Sequence, residues 1–264
     1  MSAEAASPTG GAQSIRRALA VLRIVAAGQE HGVRLVDVAN ATGLNRPTAH
    51  RILRVLVEEG AAEQDAATRR YLIGREMSLL GLARSARFPI RAIAEPHLRE
   101  LSQTLGDTTF LTIRNGDDSV CLDRQPGSYP IKVLSIEIGA RRPLGVGVSG
   151  LVLLAGLPFD EAQAVVRRNA RRLRALRLEP AQLLQRAALA RVRGHAYAAP
   201  GVVPGTCALA VPICTADGRT VAGLAVTAIR DRLTGEQVPR IAQAMGEHAQ
   251  RIARQLNARV RGQR

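Results

Sequence analysis

Lysine is almost missing from this sequence: Lys132 is the only one, and arginine supplies nearly all of a formal net charge of +15. Such an excess admits acidic partners, nucleic acid first and an anionic membrane surface second, yet its arginine-only make-up also fits a coding bias. The total therefore decides nothing, and the positions must. Cysteine is scarce as well. Cys121, Cys207 and Cys214 form neither an even disulfide framework nor a CxxC pair. That excludes a disulfide-stapled secreted scaffold and fits a reducing cytoplasm, with the three as small core residues. Long uncharged runs are lacking too. The stretch from Leu144 to Pro158 is too short and too rich in glycine to span a bilayer, so no membrane partner is expected. The opening MSAEAASPTG has neither the basic nor the apolar region of a signal peptide, and residues 1–13 read as a disordered tail.

What is present suggests two domains, because the character of the 264 residues changes near residue 88. From Ser14, SIRRALAVLRIVAAG places Ile15, Ala18, Leu19, Leu22 and Val25 on one helical face, with Ser14 as N-cap and Gly28 as stop. A short helix follows, with Leu35, Val38 and Ala39 facing inward, and Gly43 supplies a tight turn. In GLNRPTAHRILRVL, Asn45 can cap the next helix and Pro47 falls in its first turn, where a missing N–H costs nothing. Ala49, Ile52, Leu53 and Leu56 form its apolar seam, while Pro47, His50, Arg51 and Arg54 fall on the opposite face with Arg46 and Thr48 near its start. That is the layout of a helix-turn-helix, whose second helix enters the major groove. A strand near Ala61 to Gln64, a turn at Asp65 to Thr68 and a return strand near Arg70 to Ile73 add a wing, with Arg69 and Arg70 placed to meet phosphates. Between Ser14 and Arg87, twelve arginines face seven acids, so the charge excess lies mostly elsewhere.

Taken together, SIRRALAVLRIVAA, LVDVANATGLNRPTAHRILRVLVEEG and RRYLIG resemble the N-terminal half of the IclR-type bacterial transcriptional regulators. The Gly43-Leu44 pair, Arg46, Thr48 and Arg51 fall at that family's spacing. The expected organisation is a winged helix-turn-helix DNA-binding domain over residues 14–74, a linker helix over 75–87 that includes Met77, Leu79, Leu80 and Ala83, and an effector-binding domain over 88–264. The resemblance implies that the linker helps to pair two chains.

The second half reads as α+β. A helix from Pro96 to Leu105 precedes FLTIR, the turn NGDD and SVCLDR, the signal of a hairpin. IKVLSIEIG reads as a longer strand. CALAVPI, the turn TADG and TVAGLAVTAI give a second hairpin, and a closing helix keeps Val238, Ile241, Met245, His248, Ile252 and Leu256 on one face. RRPLGVGVSGLVLLAGLPFDE and RVRGHAYAAPGVVPGTCALAVPI continue the resemblance, which implies a GAF-like antiparallel sheet around a small-molecule pocket. The effector positions so implied are Gly145, Val146, Gly147, Val148, Ala198, Gly201, Ala208, Leu209, Ala225 and Thr227. Against the family pattern, Gly145 replaces a His, Leu151 a Lys, Ala198 an Asp, Gly201 a Glu, Ala208 a Cys and Ala225 a Ser, while Thr227 keeps a hydroxyl. A small carboxylate held by those groups would lose most of its hydrogen bonds. The expectation is a more apolar pocket for a bulkier or aromatic effector, or a domain that binds nothing tightly.

Enzyme readings find little support. GVGVSG satisfies the glycine spacing of a dinucleotide loop, but no partner strand follows its helix. Ser149 lacks the second glycine of a nucleophile elbow because Leu151 stands there. His195 beside Cys207 has no orienting third group. His248, on an inward helix face, reads as a core residue, and no His, Cys or carboxylate spacing points to a metal. The arginine run at 167–177 reads as a solvated helix face. No catalytic residue, metal or cofactor is expected. The reading is a cytoplasmic, effector-modulated transcriptional regulator, a repressor or an activator, binding double-stranded DNA as a homodimer or dimer of dimers, with Arg46, Thr48, His50, Arg51, Arg54, Arg69 and Arg70 at the DNA. The alternative is a GAF-like binding protein or enzyme without DNA-binding activity.

Overall fold

A computed structural model describes residues 10–85 and 89–262 and divides at Pro89 into two compact units. Of the expected tail, residues 1–9 lie outside the described residues, as do residues 86–88 at the expected end of the linker. The first unit runs α1 (Gly10–Ala27), α2 (Leu35–Thr42), α3 (Arg46–Glu58), β1 (Ala62–Gln64), β2 (Tyr71–Ile73) and α4 (Arg75–Ser85). Its core is Val21, Val25, Val38, Ala39, Ala49, Leu53 and Tyr71. Gly43, at φ 70°, lets α2 stop and α3 start within a few residues, a left-handed conformation that side chains with a Cβ rarely adopt. β1 and β2 pair antiparallel from Ala62 opposite Ile73 to Gln64 opposite Tyr71. Val33 adds a bridge to Tyr71, with N–H···O distances of 2.9 and 2.8 Å, which ties the wing to the helices.

α1 differs from its expected form. It begins at Gly10, so Ser14 lies inside it rather than capping it. Val21 and Val25 are fully buried, whereas Ile15 is 64% and Leu19 46% exposed. The segment ALAVLRIV is apolar nearly all round, so two stripes compete, and the one carrying Val21 and Val25 packs on α2 and α3.

The second unit runs α5 (Ile90–Leu105), β3 (Thr108–Asn115), β4 (Asp118–Gln125), β5 (Arg141–Pro143), α6 (Gly147–Ala155), α7 (Phe159–Arg168), α8 (Ala170–Ala175), α9 (Pro180–Arg193), β6 (Ala196–Ala198), β7 (Thr206–Cys214), β8 (Thr220–Ile229) and α10 (Val238–Gly262). Six strands form one antiparallel sheet in the order β5-β4-β3-β8-β7-β6. α5 and α10 pack on each other and on the sheet, while α6 packs on β7 and β8 with α9 behind it. Phe110, Cys121, Ala208, Ala210 and Ala225 send their side chains to the α6 side, where Leu151, Leu153 and Leu154 meet them. Small alanines on the strands let this apolar helix lie close to the sheet.

Two segments depart from the sequence expectation. Pro96 lies inside α5, which starts at Ile90, because burial of Ile90, Ile93 and Ala94 outweighs the lost hydrogen bond to Ala92. Ile131 to Gly139 is not a strand. Gly139 donates to the Cys121 carbonyl and the Cys121 N–H donates to Ala140, so the edge of β4 is taken by the residues leading into β5. The upstream residues form an irregular cover instead. In the arginine run, Arg168 grips Asp117 through two 2.7 Å bonds and Arg172 reaches Asp118 at 2.6 Å, docking α7 and α8 on the β3–β4 hairpin.

Candidate functional site

α3 is held at its start by Asn45, whose side-chain oxygen accepts from the Thr48 N–H at 2.9 Å, and Pro47 occupies the first turn. Ala49 and Leu53 are fully buried and Ile52 and Leu56 pack against the same core, so the opposite face is fixed toward solvent. Arg46, His50, Arg51 and Arg54 are exposed there and Thr48 is half-buried. Thr48 and Arg51 also border a groove of about 350 Å³ shared with Ser14, Ile15 and Ala18 of α1. Arg54 meets Glu58 one turn on at 3.5 Å, an exposed pair of about 0.3–0.5 kcal/mol that a phosphate can replace. Arg46 and Arg51 have no ion-pair partner among the described residues.

The wing places its two arginines differently. Arg69 is exposed at the tip at φ 57°, just after a turn in which the Asp65 carboxylate accepts from the Thr68 hydroxyl at 2.6 Å and its N–H at 2.7 Å. Those bonds hold Asp65 below the usual carboxylate range. Arg70 turns back instead, donating to the carbonyls of Gly32 at 3.0 Å and His31 at 3.4 Å. Its guanidinium helps to fasten the wing, a role that spacing in the chain does not reveal.

Under α6 in the second unit lies a cavity of about 50 Å³. Of the ten implied effector positions, it brings together Val146, Gly147, Val148, Ala208, Ala225 and Thr227. Gly145 sits apart at φ 98°, where a Cβ would come within 2.8 Å of Leu183: the space a side chain would take is filled. Ala198 packs into the core beside α6, and a Cβ on Gly201 would meet the Thr206 hydroxyl at 2.7 Å. Leu209 pairs with Val226 between Ala208 and Ala210 and so faces the other side of the sheet. The lining also holds polar groups that the sequence reading passed over, namely Thr112, Ser119, Ser135, Arg142 and Ser149. Arg142 donates to the Ser135 carbonyl at 2.6 Å, and burial pulls its guanidinium below the ordinary arginine value. The lining mixes these polar groups with Phe110, Val146, Val148, Ala208 and Ala225, and the cavity is smaller than the roughly 300 Å³ or more of a formed ligand pocket.

Known proteins agree with this two-part arrangement. Residues 14–66 match the model of the IclR helix-turn-helix domain, and residues 83–254 match that of the bacterial transcriptional regulator IclR C-terminal domain. The chain belongs to the IclR family. It is 31% identical over 252 residues to a glycerol operon regulatory protein of Streptomyces coelicolor, covering 93% of this chain and 97% of the relative. The crystal structure of a putative IclR regulator from Silicibacter sp. TM1040 matches with a TM-score of 0.76 at 26% identity, over 92% of this chain and 96% of that one. An IclR homologue from Microbacterium hydrocarbonoxydans, complexed with 4-hydroxybenzoate, has the same fold, with a TM-score of 0.71, 22% identity and coverage of 93% and 99%. As an IclR regulator the chain is a DNA-binding transcription factor with a C-terminal effector-binding domain, and not an enzyme. Among the described residues, no helix is long and apolar enough to cross a membrane.

One further cluster in this IclR chain escaped the sequence reading, because its members lie far apart along the chain. His97 of α5 and His248 of α10 are buried with their Nδ1 atoms 3.1 Å apart and rings at 78°, and Glu100 lies 4.0 Å from His248. The three could gather a metal ion. Yet Arg251 lies at 3.4 Å from His248 Nε2, and a guanidinium there disfavours a cation. With Arg251 donating to that nitrogen, His248 donates from Nδ1 to His97 and both rings stay neutral. Burial holds both imidazoles below their ordinary pKa of 6.5, and Arg251 adds to this. The cysteines carry no disulfide. Burial pushes the Cys121 thiol up to about 12, which keeps it protonated and unreactive.

Proposed function

We propose that α3 enters the major groove of an operator, with Arg46, Thr48, His50 and Arg51 at base edges and Arg54 at a base or phosphate. Arg69 meets the backbone from the wing tip. Arg70 does so too where its guanidinium can serve both the Gly32 carbonyl and a phosphate. The observation that carries this reading is α3 itself, pinned by Asn45 and a buried seam while Arg46 and Arg51 stand in solvent without partners among the described residues.

The chain acts in the cytoplasm as a homodimer or dimer of dimers. Exposed Leu79 and Leu80 on α4 favour pairing through that helix. The second unit binds a small-molecule effector with an apolar body, and its binding shifts DNA affinity by as much as it distinguishes the two states of the protein. Repression of an operon is the outcome we propose, on the model of a relative that is itself named a glycerol operon regulatory protein. Nuclease footprinting of the DNA upstream of its own gene tests the reading. Two protected half-sites about one helical turn apart, or a multiple of it, are expected. Uniform protection along the fragment contradicts the reading.

A further inference from the structure

We infer that His97, Glu100 and His248 form a binding site for a borderline divalent metal ion, with zinc as its type, that clamps α5 to α10. The inference involves neither the operator nor the cavity under α6 and goes beyond the regulator reading. His97 and His248 are each only 7% exposed, and their Nδ1 atoms stand 3.1 Å apart. Two imidazole nitrogens bound at about 2.0–2.1 Å to one tetrahedral zinc lie about 3.3 Å apart, so the rings already stand at nearly the spacing such an ion needs. Glu100 follows His97 by about one turn on the same face of α5. Its carboxylate lies 4.0 Å from His248 Nδ1, and the three ligand atoms fall within 4.8 Å of one another. The Glu100 side chain is 58% exposed and makes no other ion pair among the described residues. Turned inward, it supplies the negative charge that two neutral imidazoles lack.

The outer nitrogens of the rings decide what the ion must displace. With the His248 Nδ1 proton bridging the rings, the ion takes the place of that proton, which passes to Nε2 of the same ring. Gln255 lies 3.4 Å from His97 Nε2 and, with its amide oxygen turned to the ring, accepts the proton there, which leaves His97 Nδ1 as the ligand. Arg251 is the opposing group, 3.4 Å from His248 Nε2. That contact is long and Arg251 is half-buried, so the guanidinium can turn toward solvent. Its charge lowers the affinity without covering Nδ1, on the other side of the ring. Two nitrogens and one carboxylate oxygen suit zinc or cobalt, with a fourth position for water, and do not suit magnesium or calcium, which take oxygen ligands. α5 is the first element of the second unit and α10 the last, so the ion joins the two ends of that unit.

Calorimetry of the full chain, stripped with a chelator and free of any affinity tag, with zinc and with magnesium tests the site. One zinc per chain should bind with a Kd of about 10 μM or tighter and raise the melting temperature, while magnesium at the same concentration does neither. Cobalt in place of zinc should give the visible spectrum of a nitrogen- and oxygen-bound ion, without the intense thiolate band that Cys214 would give. His97→Gln and His248→Gln should each weaken zinc binding about tenfold or more. Arg251→Ala, which keeps all three ligands, should tighten it about tenfold. A histidine variant can lose its fold, so the cobalt spectrum of the parent and the gain from Arg251→Ala test the site independently of those variants. Zinc binding weaker than about 100 μM in both the parent and Arg251→Ala, binding that survives both histidine substitutions, or a cobalt spectrum dominated by thiolate overturns the proposal and leaves the two rings as a hydrogen-bonded pair.

Discussion

α3 and the cavity under α6 are both built around arginine, and they treat it in opposite ways. On α3, Arg46 and Arg51 stand in water, where a new partner costs little desolvation and mainly displaces salt. In the cavity, Arg142 is half-buried and, among the described residues, donates to the Ser135 carbonyl at 2.6 Å. The exposed arrangement suits a large polyanion read at many points. The enclosed one ties Ser135 to β5 through the guanidinium. Net charge was uninformative for a further reason: Arg114, Arg124, Arg168 and Arg172 of the second unit are spent on Glu161, Glu137, Asp117 and Asp118.

The comparison breaks most visibly at the scaffold of α3. Leu53→Ala removes a fully buried side chain from a small core and should cost about 2–5 kcal/mol, seen as an early denaturation step with DNA binding lost. An unchanged midpoint would mean that α3 is not held by this seam. Next in size, Arg51→Ala should lower affinity for the operator by about 1–3 kcal/mol if it makes a bidentate contact to guanine, with little change on scrambled DNA. Competition binding against both sequences checks this. Asn45→Ala removes the N-cap and should cost about 1 kcal/mol of stability in the first unit, with Asn45→Asp restoring it.

The smallest expected effect lies in the second unit and concerns pH. His97 and His248 are held below 6.5 in the fold, so the unfolded chain takes up protons that the folded chain refuses. The stability they contribute is therefore present above the ordinary pKa and is lost as pH falls through it. Denaturant midpoints measured from about pH 7 to pH 5 should fall, and His248→Gln should flatten that slope. A slope unchanged by the substitution would show that carboxylates elsewhere carry it.

The DNA-reading half was legible because its signals are local. A capped start, a proline in the first turn and an apolar period of three to four residues all lie within fourteen residues, and Gly43, Asn45 and Leu53 do in the fold what their spacing implied. α1 was less legible, because a helix apolar nearly all round does not say which stripe is inward. The inward contacts of Arg70 were not legible for another reason: its partner carbonyls lie 38 and 39 residues away. The cavity was the least legible. Reading it from family positions alone included Leu209, which strand alternation turns to the other face, and Gly145, whose space Leu183 fills. It omitted Arg142 because one arginine in the pair Arg141–Arg142 is paired to Asp118 and the other is not, which only the pleat of β5 decides. His97 and His248, 151 residues apart, meet only through the packing of α5 on α10.

The central claim is that α3 reads sequence while the wing tip senses only the DNA backbone. Fluorescence anisotropy with the DNA upstream of its own gene and with a scrambled copy, at one salt concentration, for the parent chain, Arg46→Ala and Arg69→Ala, tests it most directly. The parent should prefer its own upstream DNA, Arg46→Ala should shrink that preference, and Arg69→Ala should weaken binding to both sequences by the same factor. Equal affinity of the parent for the two sequences, or equal losses on both for the two variants, would contradict the account.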